Sequence, residues 1–235
     1  MTDQELLERI RRCRPADLSD GLDALGLVNT GTMSHEMRPL RPGLATAGFA
    51  YTVKLIPAQS GVKACESIEE YLGELGRWCQ DTYTFQAGLA AEGKDRVVVI
   101  DMGGYPGGIW GSLIGLSAVK CGVVGVVVDG GCRDSYECNL QQLKVWCTRR
   151  TFNHVYGRVV NGGVNVPVEC AGVTVNPGDI VSADDDGVLV IPRARAEQVL
   201  RFAEAIHAQD QRDRAQLYRD LGLPPDDTLG DARRQ

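Results

Sequence analysis

No stretch of this sequence holds the roughly 18 consecutive apolar residues of a membrane-spanning helix. The first residues, MTDQELLERIRR, lack the apolar centre of a secretion signal. Both absences lead to the expectation of a cytoplasmic protein with no membrane partner. Blocks of basic charge are also missing: 25 Lys and Arg stand against 31 Asp and Glu, the net charge is −6, and the arginines near the C-terminus are scattered. A nucleic-acid partner is therefore not expected. Histidine is scarce, with His35, His154 and His207 far apart, and the eight cysteines include no C-x-x-C pair, so no zinc-type cluster is written into the chain. Finally, the glycine-rich run Gly103–Gly111 has neither the Lys-Ser/Thr of a P-loop nor the spacing G-x-G-x-x-G, which argues against a nucleotide.

What is present centres on residues 97–137. Two β-branched runs, Val97–Ile100 and Val123–Val128, each end in an aspartate followed by glycines, Asp101-Met-Gly-Gly and Asp129-Gly-Gly. They read as two buried strands that stop at one edge of a sheet. Between them, Ser112–Cys121 has helical spacing, with Ser112 placed as N-cap and Gly122 beyond the end. A crossover of this kind brings both strand ends to one side, where open α/β sheets hold ligands. One loop then offers the unpaired backbone amides of Gly111, Ser112, Leu113 and Ile114, suited to a carboxylate or phosphate. The other offers Arg133, whose guanidinium can fork onto a carboxylate, and Asp134, which can hold a hard divalent cation.

The 235 residues show no break in composition, so a single α/β domain is expected over residues 1–222. Helices are predicted at Asp3–Arg12, Asp17–Leu25, Glu66–Trp78 and Thr84–Ala91, and a strand at Ala45–Ile56. After the central unit, Lys144–Thr148 and Gly157–Val160 read as strands. Shorter ones at Val164–Val168, Val173–Val175, Asp179–Ala183 and Val188–Ile191 form a strand-rich layer. A long polar helix follows at Arg193–Tyr218, and residues 223–235 read as a disordered tail. His207, on that polar helix, is expected in solvent. Cys132 differs from the other cysteines because Arg133 is its neighbour, and a cation lowers a thiol pKa.

Gly111, Arg133, Asp134 and the run Gly178–Pro192 (GDIVSADDDGVLVIP) resemble the RraA-like family, and so do Ala16–Leu27, Pro39–Gly43 and Asn165–Gly178. That family includes divalent-metal-dependent 4-hydroxy-4-methyl-2-oxoglutarate/4-carboxy-4-hydroxy-2-oxoadipate aldolases and the regulator of ribonuclease E activity A. The resemblance implies a swivelling β/β/α-type fold, assembled as a homotrimer or dimer of trimers with sites at subunit interfaces. It also implies Mg²⁺ or Mn²⁺ on Asp134, Arg133 against the keto and carboxylate oxygens of a small 2-oxo acid, and the amides of Gly111–Ile114 against its carboxylate. One departure stands out. The aldolase motif is an acid, twenty intervening residues, then Arg-Asp, and here the acid's position is Ser112.

The expected activity is that of a class II-like lyase cleaving small 2-oxo acids through a pyruvate enolate, with oxaloacetate decarboxylation as a companion. Arg133 and Ser112 are its candidate catalytic residues. Two other readings stay open: a non-catalytic regulator that binds a partner protein, and a related hydrolase or decarboxylase in which Ser112 admits a different substrate. Ser112 itself reads equally well as a plain helix cap.

Overall fold

The computed structural model describes residues 1–59 and 61–229. In chain order the elements are α1 (Asp3–Ile10), α2 (Pro15–Ala24), β1 (Arg38–Pro39), β2 (Thr46–Pro57), α3 (Ile68–Thr82), α4 (Phe85–Glu92), β3 (Arg96–Asp101) and β4 (Gly108–Trp110). Then come α5 (Ser112–Lys120), β5 (Gly125–Cys132), α6 (Ser135–Leu140), β6 (Val145–Arg150), β7 (Val159–Val164), β8 (Val168–Cys170), β9 (Val173–Val175), β10 (Ile180–Asp184), β11 (Gly187–Ile191) and α7 (Ala196–Leu221).

One mixed sheet organises them in the order β1-β6-β5-β3-β2-β10-β11, with β4 paired to β5 and β7 to β2. Strands β2, β3, β5 and β6 are parallel. The uninterrupted valines of β3 and β5 follow from burial on both faces. Val98, Ile100, Val126 and Val128 face a core shared with α3, α4 and α5, while Val97, Val99 and Val127 face Trp146, Val181 and the β8–β9 hairpin. A third core packs α1, α2 and α7 on Ile180, Leu189 and Ile191. The long β2 pairs with β10 through Thr46–Phe49 and with β7 through Val53–Pro57.

Several expectations need correcting. Val164–Val168 is not one strand: β7 ends at Val164 and β8 begins at Val168, with Asn165 at φ 52° turning the chain between them. Arg38–Pro39, where the sequence signals no strand, forms β1 and pairs with β6. The last helix starts at Ala196, after a 3₁₀ turn at Arg193–Arg195, and runs on to Leu221. Within the expected tail, residues 227–229 form a 3₁₀ turn and Asp226 accepts a hydrogen bond from the Tyr218 hydroxyl at 2.8 Å. Residues 230–235 lie outside the described residues.

His207 is not a solvated side chain. Its Nδ1 lies 3.0 Å from Oδ2 of Asp17, whose side chain is 1% exposed. Arg14 donates to both oxygens of the same carboxylate and reaches Asp210 on α7 at 2.9 Å. This buried carboxylate ties α2 to α7, and removing its charge strips charge-assisted bonds from both helices. Asp17→Asn is expected to cost about 2 kcal/mol, lowering the melting temperature by about 4–8 °C in a thermal unfolding experiment.

Candidate functional site

Register assembles the site. Asp101, the last residue of β3, is aligned with Asp129 inside β5, which does not stop at Asp129 as expected but runs on to Cys132. Beyond Asp101 the chain makes a glycine turn and returns as β4, which pairs with the last residues of β5: Gly108 opposite Gly131, Trp110 opposite Cys132. The Arg133 amide then donates to the Trp110 carbonyl at 2.8 Å. Because Trp110 is followed at once by Gly111 and α5, this pairing sets the first turn of the helix against Arg133 and Asp134.

Asp134 has left-handed backbone angles, φ 56° and ψ 39°, which L residues other than Asn and Asp rarely adopt. Its carbonyl accepts from Cys138 at 2.9 Å to start α6. Its carboxylate turns the other way, with Oδ2 3.3 Å from the Ser112 amide and Oδ1 3.3 Å from Nε of Arg133. Two glycines make room for this pair. A Cβ at Gly111 would lie 2.5 Å from Oδ2 of Asp134, and one at Gly108 would lie 3.0 Å from the Arg133 stem.

The resulting cleft, about 750 Å³, is walled by Gly111, Leu113, Ile114, Arg133, Asp134 and His154, and on its far side by α3 and α4 through Gln80, Tyr83, Thr84 and Gln86. Five predicted site residues, Gly111, Leu113, Ile114, Arg133 and Asp134, are thus brought together. Ser112 touches the group through its amide rather than through the cleft wall. Nor is it the N-cap: Gly111 holds that position without a side-chain bond, and Ser112 is the first helical residue. The amides of Leu113 and Ile114 have no intrahelical acceptor, since the first bond of the helix runs from Gly115 to Gly111.

Other calls fall outside the cleft. Asp101 accepts from the Gly103 amide at 2.8 Å, and burial pushes its carboxyl up. Asp129 accepts from the Ala171 amide at 3.1 Å. Both hold loops. Cys132 is buried, and its thiol, hydrogen-bonded with Cys138 and desolvated, is pushed up rather than lowered by Arg133.

His154, which the sequence left without a role, stands in the cleft wall. No spacing rule could have placed it, because an isolated bridge to Gly108 brings it there from outside the named strands. Nδ1 accepts from the Tyr156 amide at 2.9 Å, so the ring hydrogen sits on Nε2. Burial and the nearby Arg133 and Arg158 lower its pKa from the ordinary 6.5. Tyr83 donates to the Ile109 carbonyl at 3.3 Å, and burial pushes its phenol up.

The donor set bears on metal binding. Among the described residues no three His, Cys, Asp or Glu side chains gather as a ready cage. Asp134 supplies one carboxylate whose two oxygens make only long contacts. That fits a hard cation such as Mg²⁺, which takes one or two carboxylates and completes its shell with water and substrate oxygens.

The loops at the ends of the parallel strands thus bring one guanidinium, one carboxylate and a helix N-terminus to one cleft of an α/β domain, an arrangement suited to a small anion. The comparisons give the family: the chain belongs to the RraA-like family (Aldolase/RraA), which matches residues 15–190. It is 37% identical over 212 residues to a protein of Halalkalibacterium halodurans provisionally named 4-hydroxy-4-methyl-2-oxoglutarate aldolase, covering 90% of this chain and 88% of that one. It is 32% identical over 208 residues to Protein DlpA of Legionella pneumophila, covering 88% of this chain but only 31% of that protein's length. Streptomyces coelicolor RraAS2, described as an unusual member of the RNase ES inhibitor RraA protein family, shares the fold with TM-score 0.76 and 24% identity, covering 92% of this chain and 100% of that one. Among the described residues no helix is long and apolar enough to cross a membrane.

Two outcomes follow from this geometry. Gly111→Ala is expected to push the Asp134 carboxylate away and cost about 1–3 kcal/mol, read by thermal unfolding. Nitrogen NMR of His154 is expected to show an Nε2–H tautomer that titrates below 6.5. With the folded value below the unfolded one, its contribution to stability is complete above about pH 6.5 and is lost as the pH falls toward the folded value.

Proposed function

We propose that this protein is a divalent-metal-dependent lyase that cleaves or decarboxylates small 2-oxo acids, in the manner of a 4-hydroxy-4-methyl-2-oxoglutarate aldolase. The observation that carries this reading is the convergence of Arg133, Asp134 and the first turn of α5 on one cleft.

Asp134 would hold Mg²⁺ or Mn²⁺ with one carboxylate, and the ion, when bound, supplies Lewis acidity toward the substrate's oxygens. The amides of Leu113 and Ile114 hold the substrate carboxylate at the positive end of the helix. Arg133 reaches the C2 keto oxygen. When the C3–C4 bond breaks, the C4 hydroxyl gives its proton to solvent and becomes a carbonyl, the bond's electron pair moves into the pyruvate enolate, which then takes a proton from solvent at C3, and the fixed guanidinium balances the charge that develops on oxygen. The same enolate forms when oxaloacetate loses CO₂, so both acids are candidate substrates. Ser112, lacking the negative charge of the family's acid, orients solvent by hydrogen bonding alone.

An assembly of three or six copies is part of this proposal. Leu113, Leu116 and Val119 on α5 and Tyr136 and Leu140 on α6 are exposed large apolar residues near the cleft, a pattern typical of a covered interface. Sedimentation of the wild type as a trimer or hexamer, with Leu140→Lys shifting it toward monomer, is the expected result.

Pyruvate release from oxaloacetate and from 4-hydroxy-4-methyl-2-oxoglutarate is expected with Mg²⁺ or Mn²⁺ and is expected to stop with EDTA. Arg133→Ala should lower kcat about 10²–10³-fold, and Asp134→Ala should abolish metal-dependent turnover. A second reading, a regulator that binds a partner protein without catalysis, is favoured by Ser112 in place of an acid. Metal binding at Asp134 without turnover of either acid would point instead to a changed substrate or a related hydrolase. Absence of both metal binding and turnover would leave the regulator.

A further inference from the structure

The opposite edge of the sheet holds a second set of groups that the proposed lyase does not use. Lys144 immediately precedes β6 and is half-buried. Among the described residues no carboxylate lies within ion-pair reach of its ammonium. The charged groups that act most on it are Arg11 and Arg41, both cations, and together with burial they lower its pKa. Arg11 is already committed, donating to Oδ1 of Asp95 at 2.7 Å and to the Ala47 carbonyl at 3.1 Å. Arg41 donates through Nη2 to Oε1 of Gln142 at 2.6 Å, and its buried Nε has no partner among the described residues. Lys144 and Arg11 share one cavity wall with a single carboxylate, Asp95, and the excess positive charge there is a costly arrangement that a bound anion relieves.

Two cavities meet at this lysine. One, about 150 Å³, has Arg11, Thr46, Asp95 and Lys144 in its wall. The other, about 240 Å³, lies under α5 and is lined mainly by apolar groups, among them Ala118, Val123, Leu143 and Val145. Lys144 and Val124 belong to both walls. Trp110 also lines the apolar cavity, and its buried Nε1–H has no acceptor among the described residues. Lys144 stands at the start of β6, beside the start of β5, whereas Arg133 and Asp134 follow the end of β5; the apolar cavity and the cleft lie against different residues of α5.

We propose that these adjoining cavities, which share Lys144 in their walls, form a second ligand site for a small monocarboxylate, its head beside Lys144 and its short alkyl tail under α5. Asp95 in the wall offsets one of the two cations, so the site takes a single negative charge. The apolar chamber selects an acid with a tail over a bare anion. The site is independent of the lyase reading, since it shares none of that cleft's charged groups.

The test is calorimetric titration of the full chain carrying Arg133→Ala, which weakens anion binding at the other cleft; any binding that survives Lys144→Met is assigned to that cleft. The probes are butyrate, pentanoate, hexanoate and inorganic phosphate. One site per chain is expected, with Kd tightening about fourfold per added methylene, and phosphate at least tenfold weaker than hexanoate. Adding Lys144→Met is expected to weaken hexanoate at least tenfold. Because that change deletes a half-buried charge, the variant should melt at or above the temperature of its parent, which separates lost binding from lost folding. No saturable binding of any acid, binding indifferent to Lys144→Met, or phosphate as tight as hexanoate would each overturn the proposal.

Discussion

Three residues of β4 decide the geometry of the candidate site. Without their pairing to the end of β5, the glycine loop after Asp101 would carry α5 away from Arg133 and Asp134. With it, the Trp110 carbonyl holds the Arg133 amide at 2.8 Å, and the Ser112 amide meets the Asp134 carboxylate one step later. The left-handed turn at Asp134 completes the constraint, since it sends the main chain into α6 while the side chain turns back toward α5. Glycine at 108 and 111 is the steric condition for both.

The electrostatics follow from that packing. Arg133 and Asp134 are each about one-third exposed and sit side by side at 3.3 Å. An exposed pair of this kind adds little to stability, so its value lies in what it can offer a ligand. The helix terminus adds partial positive charge at the same point. His154, held neutral by burial and by two neighbouring arginines, contributes an N–H without adding a further full charge. A small dianionic or monoanionic acid suits such a cleft better than a phosphate-rich ligand, which calls for more cations than the one arginine here.

The two edges of the sheet are chemically distinct. At the end of β5, a cation, a carboxylate and a helix N-terminus converge in an open cleft. At its start, a lysine with no ion-pair partner among the described residues lines both a polar cavity and an apolar one. Helix α5 borders both regions, its first turn in the cleft and its Gly115 and Ala118 in the apolar cavity, and the family match spans both.

Much was legible before any coordinates. The valine runs ending in Asp101 and Asp129, the helix between them and the Arg133-Asp134 pair were readable because strand burial and helix spacing leave periodic signals within a few residues. Gly111, Arg133 and Asp134 were also recoverable from the family resemblance. What the sequence could not contain was pairing between segments without a period. Three-residue β4 has no alternation to detect, so neither the true cap at Gly111 nor the link to Ser112 was visible. His154 and the α3–α4 wall reach the cleft through long-range contacts. Asp17 and His207, 190 residues apart, looked like ordinary surface groups until α7 packed on α2. Cys132 shows the limit most clearly: its neighbour in sequence is a cation, but its neighbour in space is another thiol in a dry core, and the folded surroundings set its pKa. Local order was determined by the sequence because it depends on adjacent residues. The identity and charge state of the groups sharing each cavity were decided only by tertiary structure, because burial and contact are properties of the packed chain.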